Sequence, residues 1–252
     1  MPADAFSHWY GALEQRHLKR LTFPEVRRGV QALSSLYVTR RDRIDRNAAL
    51  NSAGKRAAFA MYFAPLHFLL VHQIVKALDL GVPAGMSLID LGCGTGTAGA
   101  AWAMERDPRP KLIGVDRNPW ALDECRWTYR QLGIRGVARA SDIDSIRIPS
   151  RTAVIAAFTM NELDPATRQR FRKDLLAAAL NGAPVLVIEP IARRLTLWWD
   201  DWAREWKAAG GREDEWRFRV DLPKKLALMD KAAGLDHREL TGRSLWLPGC
   251  TE

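Results

Sequence analysis

The sequence predicts an α/β fold, in which a mostly parallel sheet carries helices on both faces. Short apolar runs at 87–91, 111–116, 153–158 and 182–190 alternate with longer helical patterns, and acidic residues close several of the runs. Continuous apolar runs of this kind are typical of parallel strands that are buried on both faces. A glycine-rich segment directly after the first run predicts that a ligand binds at the edge of this sheet.

Three glycines at alternate positions, Gly92, Gly94 and Gly96, make this segment the most informative part of the chain. Because glycine has no Cβ, such a loop can turn sharply and bring its backbone close to a ligand. The alanine-rich residues 97–104 predict a helix whose N-terminus faces the same ligand. A glycine-rich loop alone fits several ligands, so the neighbouring acidic residues have to distinguish them.

Two acidic residues narrow the choice of ligand. Asp116 closes the second run, 20 residues after Gly96, where a carboxylate can accept hydrogen bonds from two ribose hydroxyls. A dinucleotide loop would have the spacing G-x-G-x-x-G, which holds a pyrophosphate at the helix N-terminus. Here the spacing is D-x-G-x-G-x-G, and the preceding acid, Asp90, suits an amino-acid ammonium group. The pattern therefore favours S-adenosylmethionine.

Residues 90–96 resemble motif I of the class I S-adenosylmethionine-dependent methyltransferases, and further landmarks follow in that family's order from about residue 86 to residue 191. The resemblance implies a Rossmann-like sheet of seven mostly parallel strands and an S-adenosylmethionine cofactor. In this family the acid after the third strand, here Asp142, meets the adenine amino group. The implied cofactor contacts are Asp90, Gly92, Gly94, Gly96, Asp116, Arg117, Asp142, Ile143 and Phe158.

Each acidic residue also has an interpretation that involves no ligand. Asp90 could orient the glycine loop through backbone amides. Asp116 could be the N-cap of the helix that Asn118 and Pro119 open, since aspartate favours that position. Asp142 could cap a turn without touching any ligand.

The remaining pattern predicts the elements around this core. Helices are expected at residues 6–21, 24–37, 55–80, 171–180, 193–209 and 224–233, and Pro65 should kink or split the third of them. A further strand is expected at 215–220, and a closing antiparallel hairpin at 236–241 and 243–247. We expect an N-terminal helical cap, residues 1–80, and a methyltransferase domain, residues 81–252, with a Trp-rich helical insertion at about 192–222.

The carboxyl end of the fourth strand is the candidate reaction site, because ligands of open α/β sheets bind at strand ends. Methyl transfer from S-adenosylmethionine is a direct displacement, which requires mainly that the acceptor is aligned. Asn161 is a candidate to hold the acceptor, and Glu162 is a candidate base where the acceptor carries a proton. Alternatively, Asn161, Glu162 and Asp164 cap the next helix.

Two aromatic segments flank the predicted core. Basic residues lead into Tyr62 and Phe63 before the first strand, and Trp198, Trp202 and Trp206 share one face of a predicted helix. In the resembled family, such segments cover the cofactor and line the acceptor pocket. Tyr62, Phe63, Trp198 and Trp202 are therefore candidate substrate contacts, and packing in the core is the alternative for each.

The excess of positive charge is concentrated near the N-terminus. The formal net charge is +9, and residues 1–56 hold 11 Lys/Arg against 5 Asp/Glu, a net of +6. Such a patch can bind phosphates and attract nucleic acid, and its alternative is a solvated helical face. The densest group is Arg40, Arg41, Arg43, Arg46, Lys55 and Arg56.

Other patterns argue against several classes of protein. The three cysteines and five histidines show no spacing typical of a disulfide framework or a metal site. No apolar run reaches the roughly 18 residues of a membrane span, and no secretory signal is visible. We therefore expect a cytoplasmic protein that uses no metal and has no membrane partner.

A closer resemblance concerns the segments KRAAFAMYFAP, NEL and IEP, at residues 55–65, 161–163 and 188–190. They are similar to the methyltransferase-like family associated with the mitochondrial small ribosomal subunit and its bacterial relatives. The resemblance implies RNA or the small ribosomal subunit as a partner, although this chain lacks the cysteine cluster common in that family. Three functions stay open: methylation of RNA or at a ribosome, methylation of a small molecule in an aromatic-lined pocket, and non-catalytic ribosome assembly.

Overall fold

The protein is described by a computed structural model that covers residues 3–39, 50–192, 196–235 and 237–249. Four arginines of the predicted basic group, Arg40, Arg41, Arg43 and Arg46, lie outside these described residues, as does Cys250. Lys55 and Arg56 lie within them.

Seven strands form one mixed sheet in the order β3-β2-β1-β4-β5-β7-β6. The first five strands are parallel, and β7 runs antiparallel to both of its neighbours. The predicted fold class is therefore confirmed. The strands are β1 Ser87–Leu91, β2 Leu112–Asp116, β3 Gly136–Ala140, β4 Thr152–Ala157, β5 Val185–Glu189, β6 Arg212–Phe218 and β7 Leu240–Leu247.

The predicted closing hairpin is wrong, because residues 240–247 form the single strand β7. This strand lies between β5 and β6 and pairs with both of them, so its two edges are occupied along its length. Gly242, the residue expected to turn, lies inside the strand. A Cβ there would approach the side chain of Leu70 to 3.0 Å, so the glycine serves close packing.

Eight helices surround the sheet in the part of the chain that the structure describes. Most begin within a few residues of the predicted starts. The helix predicted at 171–180 begins earlier, at Pro165, because Asp164 caps it there. They are α1 Ala3–Leu18, α2 Phe23–Thr39, α3 Ala53–Ala77, α4 Thr97–Ala103, α5 Pro119–Gln131, α6 Pro165–Leu180, α7 Trp199–Ala208 and α8 Lys224–Ala232.

Helix α3 is not split at Pro65. It begins after the N-cap Ser52 and contains a wide π-helical turn, Phe59–Phe63, in which the Ala64 amide donates to the Phe59 carbonyl. A proline inside a helix removes an amide donor and clashes with the carbonyl four residues earlier. The π turn directly before Pro65 accommodates that clash, so the helix continues to Ala77.

Two apolar clusters cover the two faces of the sheet. Helices α1 to α5 and α8 pack on one face, so the N-terminal helices share their core with the sheet. Helices α6 and α7 pack on the other, where Trp199, Trp202 and Trp206 are at most 1% exposed. The proposed domain boundary near residue 80 stays a prediction.

Among the described residues, helix α3 is long and apolar enough to be compared with a membrane span. Its 25 residues meet the criteria of length and mean hydropathy, although no uninterrupted apolar run in the sequence reaches about 18 residues. However, 83% of its most apolar stretch is buried inside the protein, as in the core helix of a folded domain.

We predict that Trp202→Ala lowers the free energy of unfolding by about 3–5 kcal/mol, because it empties a fully packed site. Urea denaturation followed by circular dichroism measures the change. The control is Leu197→Ala, whose side chain is 86% exposed and whose loss should cost at most about 0.5 kcal/mol. A similarly small cost for Trp202→Ala would contradict the core position and restore this residue as a substrate candidate.

Candidate functional site

The glycine loop runs from the end of β1 to the start of α4. Gly92, Gly94 and Gly96 have φ angles of +68°, +51° and +81°, in the left-handed region that favours glycine. A Cβ on Gly92 would lie 2.4 Å from Thr159, and one on Gly96 would lie 2.6 Å from Cys125. A Cβ on Gly94 would meet nothing nearer than the Phe59 ring, 3.8 Å away. The outer glycines therefore serve packing, whereas at Gly94 the positive φ is the constraint and a Cβ would only contact Phe59 at van der Waals distance.

Asp116 fixes this loop from the end of β2. Its Oδ2 accepts a hydrogen bond from the Gly94 amide at 2.9 Å, and its Oδ1 accepts one from the Asn118 amide at 2.8 Å. A carboxylate oxygen can accept a second hydrogen bond, so Asp116 can still serve ribose hydroxyls. The N-cap of α5 is Asn118, whose side chain accepts from the Ala121 amide. Asp116 itself is therefore not the cap.

Asp90 lies behind the glycine loop. Its side chain is 1% exposed, and its Oδ2 accepts a hydrogen bond from the Gly99 amide at 2.8 Å. This bond joins β1 to the first turn of α4, which is the loop-orienting role considered above. A direct contact between Asp90 and the cofactor stays a prediction.

The other predicted cofactor contacts follow β2, β3 and β4. Arg117 and Asp142 are exposed and Ile143 is half-buried, and the Asp142 side chain makes no capping hydrogen bond to the short helical turn that it precedes. Phe158 directly follows β4 with a φ of +57°, a conformation that costs a bulky residue about 1–3 kcal/mol. Its ring stacks on His67 with the ring centroids 4.0 Å apart.

The wall opposite the glycine loop comes from the π turn of α3. The Phe59 ring is the group nearest to the Cβ position of Gly94, and it lies 6.3 Å from Phe63 and from His67, centroid to centroid. It also meets Trp120 edge to face at 6.5 Å. The π turn therefore places an aromatic surface beside the loop, with Phe63 half-buried within it.

Glu189 organises the ends of β4 and β5. This carboxylate is fully buried and accepts hydrogen bonds from the Met160 amide at 2.7 Å and from the Asn161 side chain at 2.7 Å. Beside it, the Thr159 hydroxyl donates to the carbonyl of Leu91 at the end of β1. Neither Glu189 nor Thr159 was selected from the sequence. Glu189 carries the signal that selected Asp116, an acid closing an apolar run.

The two catalytic candidates occupy different surroundings. Asn161 bridges Glu189 to Trp198, whose indole N–H donates to the Asn161 carbonyl oxygen at 3.0 Å. Glu162 is exposed, and it does not cap α6, because Asp164 accepts from the amides of the first turn. Asn161 therefore holds Trp198 next to the strand ends, and the acceptor-binding and base roles stay predictions.

Tyr62 takes part in a polar cluster that the sequence did not reveal. Its hydroxyl donates to the Asp230 carboxylate of α8 and lies 2.9 Å from His237 Nδ1. His237 also places its backbone amide 2.8 Å from Asp230 and its Nδ1 2.6 Å from the same carboxylate. Tyr62 and Asp230 are separated by 168 residues, so no local spacing signals this cluster.

Protonation in this cluster follows from its burial. Burial, and then the hydrogen bond to Asp230, raises the pKa of the Tyr62 hydroxyl above its ordinary value, so it stays a donor. Burial alone would raise the pKa of Asp230, but hydrogen bonds from Tyr62 and His237 outweigh it and lower that pKa. Because the Tyr62 side chain is fully buried and bound to Asp230, its polar end is already occupied.

The described residues contain no group of three His, Cys, Asp or Glu side chains arranged to hold a metal ion. Cys93 of the glycine loop and Cys125 of α5 are both buried, with their sulfur atoms 3.9 Å apart. Burial raises the pKa of the Cys93 thiol, which favours the uncharged form. These cysteines therefore pack the back of the loop.

Comparisons with known proteins agree with this geometry. Residues 83–164 match the family described as methyltransferase domain. The ribosomal RNA small subunit methyltransferase C of Chromohalobacter salexigens is 26% identical over 153 residues, 59% of this chain and 44% of that protein. The carboxy-S-adenosyl-L-methionine synthase of Sodalis glossinidius is 29% identical over 110 residues, 42% of this chain and 44% of that protein. The chain thus spans less than half the length of these curated relatives.

Solved structures share the fold at low sequence identity. A candidate O-methyltransferase from Nostoc punctiforme superposes with a TM-score of 0.54 at 12% identity, over 88% of this chain and 69% of that one. The pyocyanin biosynthetic protein PhzM superposes with a TM-score of 0.50 at 19% identity, over 81% of this chain and 64% of that one.

The strand order, the glycine loop and the family match support a class I methyltransferase domain that includes residues 83–164, and S-adenosylmethionine is the cofactor of such domains. The site fits this cofactor. A Cβ at Gly94 would clash with no side chain, and Asp116 can accept further hydrogen bonds beside it.

We predict that Asp116→Asn weakens S-adenosylmethionine binding by about 10- to 100-fold, since a hydrogen bond to a charged group contributes about 1.5–3 kcal/mol. Isothermal titration calorimetry measures the affinity. Asp123→Asn is the matched control, because Asp123 is an exposed residue of α5 that pairs with Arg126 across one turn. Equal affinities of the two variants would contradict the assignment of Asp116.

We predict that Asp230→Asn destabilises the protein in a pH-dependent way. The pKa of Asp230 is lowered in the folded state, so its contribution is complete above the unfolded-state pKa of about 3.9 and is lost as the pH falls through the folded-state pKa. Urea unfolding of wild type and variant between neutral and acidic pH should show a difference that shrinks below about pH 4. A difference that stays constant with pH would argue against an ionised Asp230 in this cluster.

Proposed function

We propose that this protein is a methyltransferase that transfers the S-adenosylmethionine methyl group to RNA. Bound in the loop, S-adenosylmethionine supplies an activated sulfonium methyl group. Asp116 and the Gly94 backbone hold the cofactor, and the aromatic surface of the π turn covers it. The remaining task of the protein is to align the acceptor and exclude water, which accounts for much of the rate enhancement in such displacements.

The observation that carries the RNA proposal is where the positive charge lies. Residues 1–56 hold 11 Lys/Arg against 5 Asp/Glu, and the described helices of this segment pack on the same face of the sheet as α4 and α5. Arg56 lies on the turn directly before Phe59, the residue that borders the glycine loop. Positive charge near the glycine loop suits a polyanionic acceptor, because cations that bind nucleic-acid phosphates release condensed counterions.

The ribosomal relative supports the same choice. The protein of Chromohalobacter salexigens is named for ribosomal RNA of the small subunit, and the similarity to it covers 59% of this chain. We therefore propose ribosomal RNA of the small subunit as the first acceptor to test, with the cytoplasm as its setting.

A small-molecule acceptor is the second candidate. The aromatic side chains of Phe59, Phe63 and Phe158 would line a pocket of the kind that binds apolar ligands. Trp198, held by Asn161 and half-buried, could close that pocket from the side of α7. This arrangement favours a flat aromatic metabolite over a polar one.

We predict that the protein transfers a tritiated methyl group from S-adenosylmethionine to small-subunit ribosomal RNA, either free or in the assembled subunit. The product should be acid-precipitable and sensitive to ribonuclease, and Asp116→Asn should reduce it in proportion to the loss of cofactor affinity. Asp123→Asn is the control for folding. Label that appears only in low-mass products of a cell extract would support the metabolite enzyme, and cofactor binding without any transfer would support an assembly factor.

A further inference from the structure

A groove between α1 and α5 is not used by the cofactor site. Its volume is about 730 Å³, which is enough for part of an extended polymer. Basic residues line one side and indole rings the other, and its most informative residues are Arg16, Lys19, Arg20, Trp120, Glu124 and Trp127.

The floor of the groove is a neutralised carboxylate. Glu124 is 3% exposed, and Arg16 donates to it from Nε at 3.0 Å and from a terminal nitrogen at 2.9 Å. His17 places Nε2 3.3 Å from its other oxygen. Burial would raise the pKa of Glu124, but the hydrogen bonds from His17 and Arg16 outweigh it and lower that pKa, so the carboxylate stays paired. Its charge therefore does not repel an anion in the groove.

The wall on α5 presents two half-buried indole rings. Trp120 and Trp127 are seven residues apart, which places them on one face of the helix about 10 Å apart along its axis. The guanidinium of Arg16 lies 5.1 Å from the Trp127 ring centroid, and that of Arg56 lies 5.9 Å from the Trp120 ring centroid. Each indole thus has a cation beside it.

The rim on α1 carries unneutralised charge. Lys19 and Arg20 directly follow the last residue of the helix and are exposed. In the described part of the chain, neither forms an ion pair or a hydrogen bond to a side chain. They are therefore available to an anion that enters the groove from solvent.

We propose that this groove binds a single-stranded segment of RNA, with bases against Trp120 and Trp127 and phosphates against Lys19 and Arg20. This inference rests on the proposed function and identifies the surface that would bind the RNA acceptor. Alternating aromatic and cationic contacts are how proteins bind single strands, because every base offers a face for stacking. An acidic peptide would use the cations but not the indoles.

The position of the groove connects it to the reaction site. Trp120 follows Asp116 by four residues and meets Phe59 edge to face, so one end of the groove borders the cofactor. The other end, at Trp127, lies two helical turns away. A strand lying in the groove would therefore reach the side of the cofactor loop that Asp116 holds.

Fluorescence anisotropy with a labelled polyuridylate of about twelve nucleotides tests the groove on the full chain, without cofactor. For Lys19→Ala with Arg20→Ala, we expect weaker binding and a slope of log affinity against log salt that is shallower by about 1.4, since each phosphate contact to a single strand contributes about 0.7. Trp127→Leu should weaken binding about tenfold or more through lost stacking. The control pair, Lys173→Ala with Arg204→Ala, removes the same charge from exposed positions on α6 and α7 and should bind as wild type.

Three results would overturn the proposal: no binding by the wild type, equal affinity of the groove variants and the control pair, or equal affinity for a polyglutamate peptide of similar charge. Circular dichroism melting of each variant shows that the fold is retained. Calorimetry with S-adenosylmethionine is run on the same proteins. If the wild type does not bind S-adenosylmethionine, the proposed methyltransferase function is refuted. If it binds S-adenosylmethionine but not the oligonucleotide, only the RNA-binding role of the groove is refuted.

Discussion

The hydrogen bond from the Gly94 amide to Asp116 is the interaction on which the site depends. It joins the loop after β1 to the end of β2, so two neighbouring strands of the sheet fix one backbone segment. A loop with three residues of positive φ has many accessible conformations in the unfolded chain, and its order has to come from such partners. Asp90 completes the arrangement from behind by holding Gly99 at the first turn of α4. The loop is thus held rigidly before any ligand arrives, which lowers the entropic cost of binding.

The sequence predicted the parts of the fold whose signal is local. Strands β1, β2, β4 and β5 are mostly apolar, and the helix at Pro119 begins with Asn-Pro, so both kinds of element could be located within a few residues. The wrong prediction concerns β7, and the form of the irregularity before Pro65, a π turn, was not predicted. Whether residues 240–247 form one strand or two depends on β5 and β6 being present on both sides, and no local pattern expresses that. The prediction for Pro65 assumed regular α-helical geometry, whereas the chain forms a π turn directly before it.

The candidate site shows the same division. Glycines and terminal acids of strands could be found by spacing, because their chemistry depends on neighbours in sequence. The contacts of Glu189 with Asn161 and of Asp230 with Tyr62 join residues that are far apart in the sequence, so these contacts emerged only in three dimensions. Trp198 and Trp202 show the same difference between what local spacing and three-dimensional contacts reveal. The periodic pattern placed Trp198 and Trp202 on one helical face, but Trp202 is buried in the core and Trp198 is tied to Asn161 at the strand ends.

The π turn of α3 has a consequence for how this helix is built. A π turn accommodates one residue more than an α-helical turn, so the side chains that follow it are rotated by about 100° relative to an uninterrupted helix. Before the turn, the helix crosses α2 so closely that a Cβ on Gly29 would lie 2.3 Å from the Gly54 carbonyl oxygen. After it, Leu70 packs on Gly242 of the sheet. Helix α3 therefore packs against α2 and against the sheet with differently oriented faces. The rotation between these two faces occurs at the π turn, whose residues face the cofactor loop.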